Sequence, residues 1–222
     1  MFNSGLRRSP TQPPKWVRWT AFFLVGISFQ FIVQFFPPTP VLAQNSGSQG
    51  NTCSLISSPL TPEEESYART AWQYFSANYQ PGTGFVNSTG GYPSGTLWDL
   101  GNYLIAMNSA RWMNIITQKE FDEKLNKFLA TISSVKLFDG ALPNKVYNAK
   151  TAEMVDYGNK LTPRGIGWSA LDIGRMLAAF HVIRTCHPQY NDWLKGIVAK
   201  WQIAKSLKDD QLYGATDRKS VV

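Results

Sequence analysis

The sequence predicts an all-α fold: an incomplete α/α toroid in which inner and outer helices alternate. Three observations predict it. A pattern recurs 73 residues apart, Thr96-Leu-Trp-Asp99-Leu-Gly101-Asn-Tyr-Leu104-Ile-Ala106 and Ser169-Ala-Leu-Asp172-Ile-Gly174-Arg-Met-Leu177-Ala-Ala179, and a period of that length holds about two helices with their loops. Expected helices that are apolar on nearly every side alternate with helices carrying a single apolar stripe. Links from an all-round helix to a striped one are short, near Asn114 to Ile116 and at His187. Links in the other direction are long: Tyr79 to Gly95, Lys136 to Gly167, and a third beginning at Lys208.

Residues 1–43 read as an export leader. Arg7, Arg8, Lys15 and Arg18 precede the apolar run Trp19 to Phe36, and Val41-Leu-Ala43 ends the segment as a small-residue cleavage site. The run is also long enough for an uncleaved membrane anchor. Residues 44–60, rich in Ser, Gly, Asn, Gln and Pro, read as a flexible linker.

The folded part is expected over 61–216. Thr61-Pro62-Glu63-Glu64 places a cap, a proline at the first helical position and a capping glutamate, and Tyr67, Ala71, Trp72 and Phe75 then share one face. The next helix starts at Thr96 and is apolar through Leu97, Trp98, Leu100, Leu104, Ile105 and Met107, so burial on all sides is expected. Thr117-Gln-Lys-Glu120 opens a half-exposed helix with Phe121, Leu125, Phe128, Leu129 and Ile132 in a stripe. Trp168 to Cys186 forms a second inner helix, with His181 expected as a satisfied core histidine. Tyr190, Leu194, Ile197, Val198 and Trp201 form the last stripe.

If neighbouring helices are antiparallel, all long loops leave on one rim, together with the N-termini of the inner helices. A binding site belongs there. The loops also resemble one another: Phe138-Asp-Gly140-Ala-Leu and Tyr213-Gly214-Ala each follow an outer helix, and Gly82-Thr-Gly84-Phe-Val-Asn87 holds the corresponding earlier place. The last six residues, Asp217-Arg-Lys-Ser-Val-Val222, can be encoded by GAT CGG AAG AGC GTC GTG, with TAG next, the sequence of a common short-read sequencing adapter. The expectation is a non-native tail at 217–222 and a native protein that continues beyond Thr216.

The chain carries a net charge of +7, of which four charges lie in the acid-free leader, leaving +3 over 44–222. The basic balance therefore gives no argument for nucleic-acid binding. Cys53 and Cys186 have no metal-ligand spacing around them; in an exported protein they can pair, or remain two free thiols. No metal motif, cofactor motif, phosphate-cradling glycine loop, Ser-His-Asp or Cys-His arrangement is present.

At Gly84-Phe-Val-Asn87, Thr96-Leu-Trp-Asp-Leu-Gly101, Leu142-Pro-Asn144 and Gly167-Trp-Ser-Ala-Leu-Asp-Ile-Gly-Arg175, the sequence resembles an uncharacterised bacterial family, domain of unknown function 3131, over about residues 64–216. That family is similar to the glucoamylase-like six-hairpin α/α toroids, whose members often cleave or bind polysaccharides. The resemblance implies the fold, and a polysaccharide or oligosaccharide partner, more firmly than a reaction.

Glycoside hydrolysis generally needs two carboxyl groups, one to protonate the leaving oxygen and one to activate water or attack the sugar. Asp99, Asp139, Glu153, Asp156 and Asp172 lie on the expected rim. Asp99 and Asp172 stand three residues after a Thr or Ser at a helix start, the capping-box position, where a carboxylate also favours the helix dipole. Glu153 and Asp156, in the longest loop, lack that explanation and are the first candidates for an acid/base pair; Asp139 before Gly140 reads as a turn residue.

Tyr92, Trp98, Tyr147, Tyr157 and Trp168 offer flat faces for sugar rings. For Trp98 and Trp168 the core reading is favoured, for Tyr147 and Tyr157 binding. Asn87 and Asn144 suit sugar hydroxyls, and Arg164 or Arg175 an acidic group, though each serves equally as a loop pin. The competing reading is a helical scaffold that binds carbohydrate without cleaving it, or binds another protein.

Overall fold

The computed structural model describes Cys53 and residues 58–217; the expected leader, most of the expected linker and residues 218–222 lie outside them. Five α-helices follow one another among the described residues: α1 (Pro62–Asn78), α2 (Leu97–Trp112), α3 (Gln118–Ile132), α4 (Ala170–Cys186) and α5 (Asn191–Val198). None is long and apolar enough to cross a membrane.

Each long helix starts where a side chain can serve its first free N–H groups. Thr61 with Glu64, and Thr96 with Asp99, form reciprocal capping boxes; Thr117 accepts from the Glu120 N–H and Ser169 from the Asp172 N–H. Helix α4 begins at Ala170 rather than Trp168 because Trp168 belongs to a short strand.

Helix α2 is the centre of the fold. Leu97, Leu100, Tyr103, Leu104 and Met107 are buried, and α1, α3 and α4 all pack against it. The stripe Phe121, Leu125, Phe128, Leu129 and Ile132 of α3 closes onto the same core. Tyr103 sits among the rings of Trp72, Phe75, Tyr79 and Phe128, with centroids 5.8–6.4 Å away, and its buried hydroxyl has no hydrogen-bond partner among the described residues.

The inner helices α2 and α4 run side by side. At Gly101 an added Cβ would lie 3.2 Å from the backbone C and O of Arg175, a tighter contact than most, so any larger residue would push the two helices apart by a few tenths of an ångström. Arg175 Nε donates to Asn102 Oδ1 at 2.6 Å near the start of both helices, and His187 Nε2 lies 2.8 Å from Asn108 Oδ1 near their ends. The helices are therefore parallel, and both N-termini meet one rim.

Helix α4 departs from the expectation of an inner helix covered all round. Ile173, Met176, Ala179, Phe180 and Ile183 are buried, whereas Leu171, Gly174, Ala178 and His181 are exposed. His181 is thus a surface residue: among the described residues its helix has an inner neighbour on one side only.

Among the described residues eight short strands build the rim: β1 (Ser94–Thr96), β2 (Leu137–Phe138), β3 (Leu142–Pro143), β4 (Val146–Asn148), β5 (Gly167–Ser169), β6 (Leu207–Lys208), β7 (Gln211–Leu212) and β8 (Ala215–Asp217). Strand β1, which leads into α2, pairs antiparallel with β4 from the loop after α3. Strand β5, which leads into α4, pairs in the same way with β8 from the loop after α5. The hairpins β2–β3 and β6–β7 turn through residues with left-handed backbones, Asp139 (φ 48°) with Gly140 (φ 66°) and Asp209 (φ 52°) with Asp210 (φ 58°). Asp139 is accordingly a turn residue. Cys53 and Cys186 are joined by a disulfide at the C-terminal end of α4, away from the rim.

Candidate functional site at the inner-helix rim

The parallel packing of α2 and α4 brings Asp99 and Asp172 to the same rim. Asp99 Oδ2 accepts from the Thr96 N–H (3.0 Å) and the Thr96 hydroxyl (2.8 Å), which fixes this carboxylate at the start of α2. Asp172 repeats the position without the full box: its N–H donates to Ser169 Oγ at 3.4 Å, while no bond from the Ser169 N–H returns to its carboxylate.

Electrostatics separate Asp172 further from an ordinary cap. Burial of its half-buried carboxyl pushes the pKa above the usual carboxylate range; the Ser169 hydroxyl pulls it back, the charge of Asp99 pushes it up again, and Lys145 lowers it. The Tyr157 hydroxyl is held above the ordinary phenol value by partial desolvation and by the charge of Asp172, so the Tyr157 loop reaches this corner of the rim.

Two aromatic rings face solvent here. Trp98 is 43% exposed and Tyr157 68% exposed. The core reading of Trp98 does not hold, because residue 98 falls on the outer surface at the start of α2. The Arg175 guanidinium lies 5.2 Å from the Trp98 ring centroid and also bonds Asn102, which holds the ring and the guanidinium in one orientation. Tyr92 is partly exposed, and its hydroxyl donates to the Tyr157 carbonyl at 3.0 Å, tying the two loops together.

Other expected site residues are structural in this fold. Tyr147 is fully buried; its hydroxyl donates to the Lys136 carbonyl (2.8 Å) and accepts from the Asn144 N–H (2.9 Å), so it has no face for a sugar. Asn144 is buried as well: its amide N–H groups donate to the Val146 and Val155 carbonyls, and its Oδ1 accepts from the Ile166 N–H at 2.7 Å. Asn87, bonded to Gln80 and Asn78, pins the first long loop. Trp168 is buried, in line with the core reading.

In the longest loop, Asp156 Oδ1 accepts from the Lys160 N–H at 2.9 Å and so closes a turn. Glu153 and Arg164 are exposed to solvent. Asp156 is half-buried; the loop is organised around Met154 and Val155, which are buried, and around Asn144. No group of three or more His, Cys, Asp or Glu among the described residues could hold a metal ion.

Lys145 and Asn102, which orients the Arg175 guanidinium beside Trp98, are the residues that reading by motif overlooks. Lys145 directly follows Leu142-Pro-Asn144 and its N–H donates to the Gly167 carbonyl at 2.7 Å, which carries the lysine toward the start of α4. The signal was the position itself, a cation adjoining a repeated loop motif. Together the rim offers two neighbouring carboxyl groups in different surroundings, the charge of Lys145 acting on Asp172, the Arg175 guanidinium beside Trp98, and exposed aromatic rings.

The fold has relatives among solved structures. It matches a structure described as a "putative glucoamylase" from Bacteroides fragilis, with a TM-score of 0.54 and 13% identity, over 74% of this chain and 42% of that one. A second, from Bacteroides uniformis and described in the same words, matches with a TM-score of 0.54 and 14% identity, over 73% of this chain and 42% of that one. The chain thus spans less than half the length of either structure, and at this identity the likeness establishes a glucoamylase-like fold. The sequence matches none of the curated proteins with which it was compared. Residues 66–221 match the family described as "Protein of unknown function (DUF3131)", and with that match spanning most of its length the chain belongs to the DUF3131 family.

Proposed function

We propose that this chain is part of an exported glycan-active protein that binds saccharide across the inner-helix rim, with Asp172 as the proton-donating carboxyl of a glycoside hydrolase. The observation that carries the reading is the environment of Asp172. A carboxyl group with a raised pKa, beside a second carboxylate, suits protonation of a leaving glycosidic oxygen. Asp99 raises the proton affinity of Asp172 through its charge. Trp98, held by Arg175, and Tyr157, held through Tyr92, supply the stacking faces. Glu153 and Asp156 remain candidates for the second carboxyl of the reaction, carried close to the rim by the longest loop. The glucoamylase-like fold supports a carbohydrate partner, and the Cys53–Cys186 disulfide supports an oxidising, extracytoplasmic location.

A non-catalytic carbohydrate-binding scaffold is favoured by one specific observation: Asp99 and Asp156 already serve a helix cap and a turn. Hydrolysis and binding assays on α-glucans, β-glucans and cell-envelope polysaccharides separate the two. The hydrolase reading expects Asp172→Asn to lower kcat by about 10²–10⁴-fold with glycan binding retained, and Trp98→Ala to weaken binding. Unchanged turnover in Asp172→Asn removes this residue from the chemistry, and binding without turnover in the parent chain leaves the scaffold reading.

A further inference from the structure

Arg175 is a fixed cation with two unused donor groups. It stands on α4 one turn after Asp172, about 4.5 Å further along the helix axis, and helical side chains lean back toward the N-terminus. Its guanidinium accordingly lies beside Trp98, 5.2 Å from the ring centroid. Asn102 Oδ1 accepts from Nε at 2.6 Å across the two inner helices. Nη1 and Nη2 have no partner among the described residues, where every ion pair lies elsewhere. Both nitrogens reach solvent, because among the described residues the only buried side-chain N or O without a partner is the Tyr103 hydroxyl.

A cation at this position is particular to the second repeat. On α2 the corresponding residue, 73 positions earlier, is the neutral amide Asn102. A half-buried guanidinium gives up part of its hydration and gains most from an anion that replaces it. Its planar fork also fits a carboxylate, with two parallel N–H···O bonds, better than it fits a single hydroxyl. Neither rim carboxylate takes that place. Asp99 is bonded to Thr96, and the cation whose charge acts on Asp172 is Lys145.

We propose that Arg175 selects an acidic saccharide: a uronate residue whose sugar ring stacks on the solvent-exposed part of Trp98 while its carboxylate takes the Nη1 and Nη2 donors. This selection rests on the rim being a saccharide-binding surface, and it names the class of sugar bound there. Asn102 is then a positioning residue, since its bond to Nε leaves the Nη1–Nη2 edge of the fork to the ligand. A neutral sugar can stack on the same ring but leaves the guanidinium without an anion.

Acid and neutral forms of one sugar isolate the charge. Oligogalacturonate, oligomannuronate and C6-oxidised cellodextrin are each titrated into the chain by calorimetry, as the free carboxylate and as the methyl ester, which keeps the ring and removes the charge. At least one carboxylate form should bind at least about tenfold more tightly than its ester. Arg175→Gln should bring that ratio to about one, and Arg175→Lys should restore part of it. Trp98→Ala should weaken both forms together and leave the ratio in place. In the parent chain, raising NaCl from about 0.05 M to about 1 M should lower the ratio, a reading that needs no variant. Equal affinity for acid and ester, both weakened by Trp98→Ala, overturns the selection and leaves the saccharide-binding rim standing. A preference for acid that survives Arg175→Gln, in a variant with the parent's circular dichroism, also overturns it, because another cation is then responsible. Binding of neither form of any of the three sugars overturns both the selection and the saccharide-binding rim.

Discussion

His187 couples its charge state to the stability of the packed hairpins. Its ring is buried against Phe121 and bonded to Asn108. Burial holds its pKa below the ordinary value of 6.5, with Asp122 pulling it up and Arg111 pushing it down. The unfolded chain takes up the proton more readily than the folded one, so stability is fully present above the ordinary value and is lost as pH falls below it. The urea midpoint should accordingly drop between about pH 7.5 and about pH 5, and His187→Gln should flatten that dependence. The buried, unpartnered hydroxyl of Tyr103 makes a second residue-scale prediction: Tyr103→Phe removes a desolvated group and should leave stability unchanged or raise it by about 1 kcal/mol, read from urea denaturation. At this scale the sequence was a partial guide. The carboxylate positions Asp99 and Asp172 were visible from spacing, but which aromatic rings face water was not. Tyr147 and Tyr157 look alike as loop tyrosines, and only the bonds of Tyr147 to Lys136 and Asn144 separate them.

Among the elements, the two repeat glycines are predicted to behave in opposite ways. Gly101→Ala forces a Cβ against the Arg175 backbone and should destabilise the chain by about 1–3 kcal/mol. Gly174→Ala meets no neighbour and should stabilise it by about 1 kcal/mol through helix propensity alone. Chemical denaturation of the two single variants reads both signs. The helices were legible because caps and apolar spacing are local signals: Thr61, Thr96, Thr117 and Ser169 each begin a helix. The strands were not, since two or three residues cannot display an alternating pattern. Trp168 shows the consequence, reading as helical from its apolar neighbours while its backbone pairs with Thr216.

Across the whole molecule, the Cys53–Cys186 bond closes a span of 133 residues and ties the start of the described chain to the end of an inner helix. Replacing both cysteines by serine should lower stability by about 2–4 kcal/mol, measured by urea denaturation under oxidising conditions, while the reduced parent chain matches the variant. The alternation of covered and striped helices was legible at this scale because it rests on periodicity repeated over many residues. The open side of α4 was not, because an apolar helix reads the same whether or not its neighbour is present.

The strand pairing also carries a consequence for synthesis. Thr96 of β1 pairs with Val146, and Ser169 of β5 with Ala215. At roughly 5–20 residues per second, a ribosome releases each leading strand several seconds before its partner. During that interval helix and core can form while the rim edge stays open. The surface bearing Asp172, Trp98 and Tyr157 therefore matures one repeat behind the helices that carry it, and translation speed through residues 97–146 and 170–215 sets how long each edge waits.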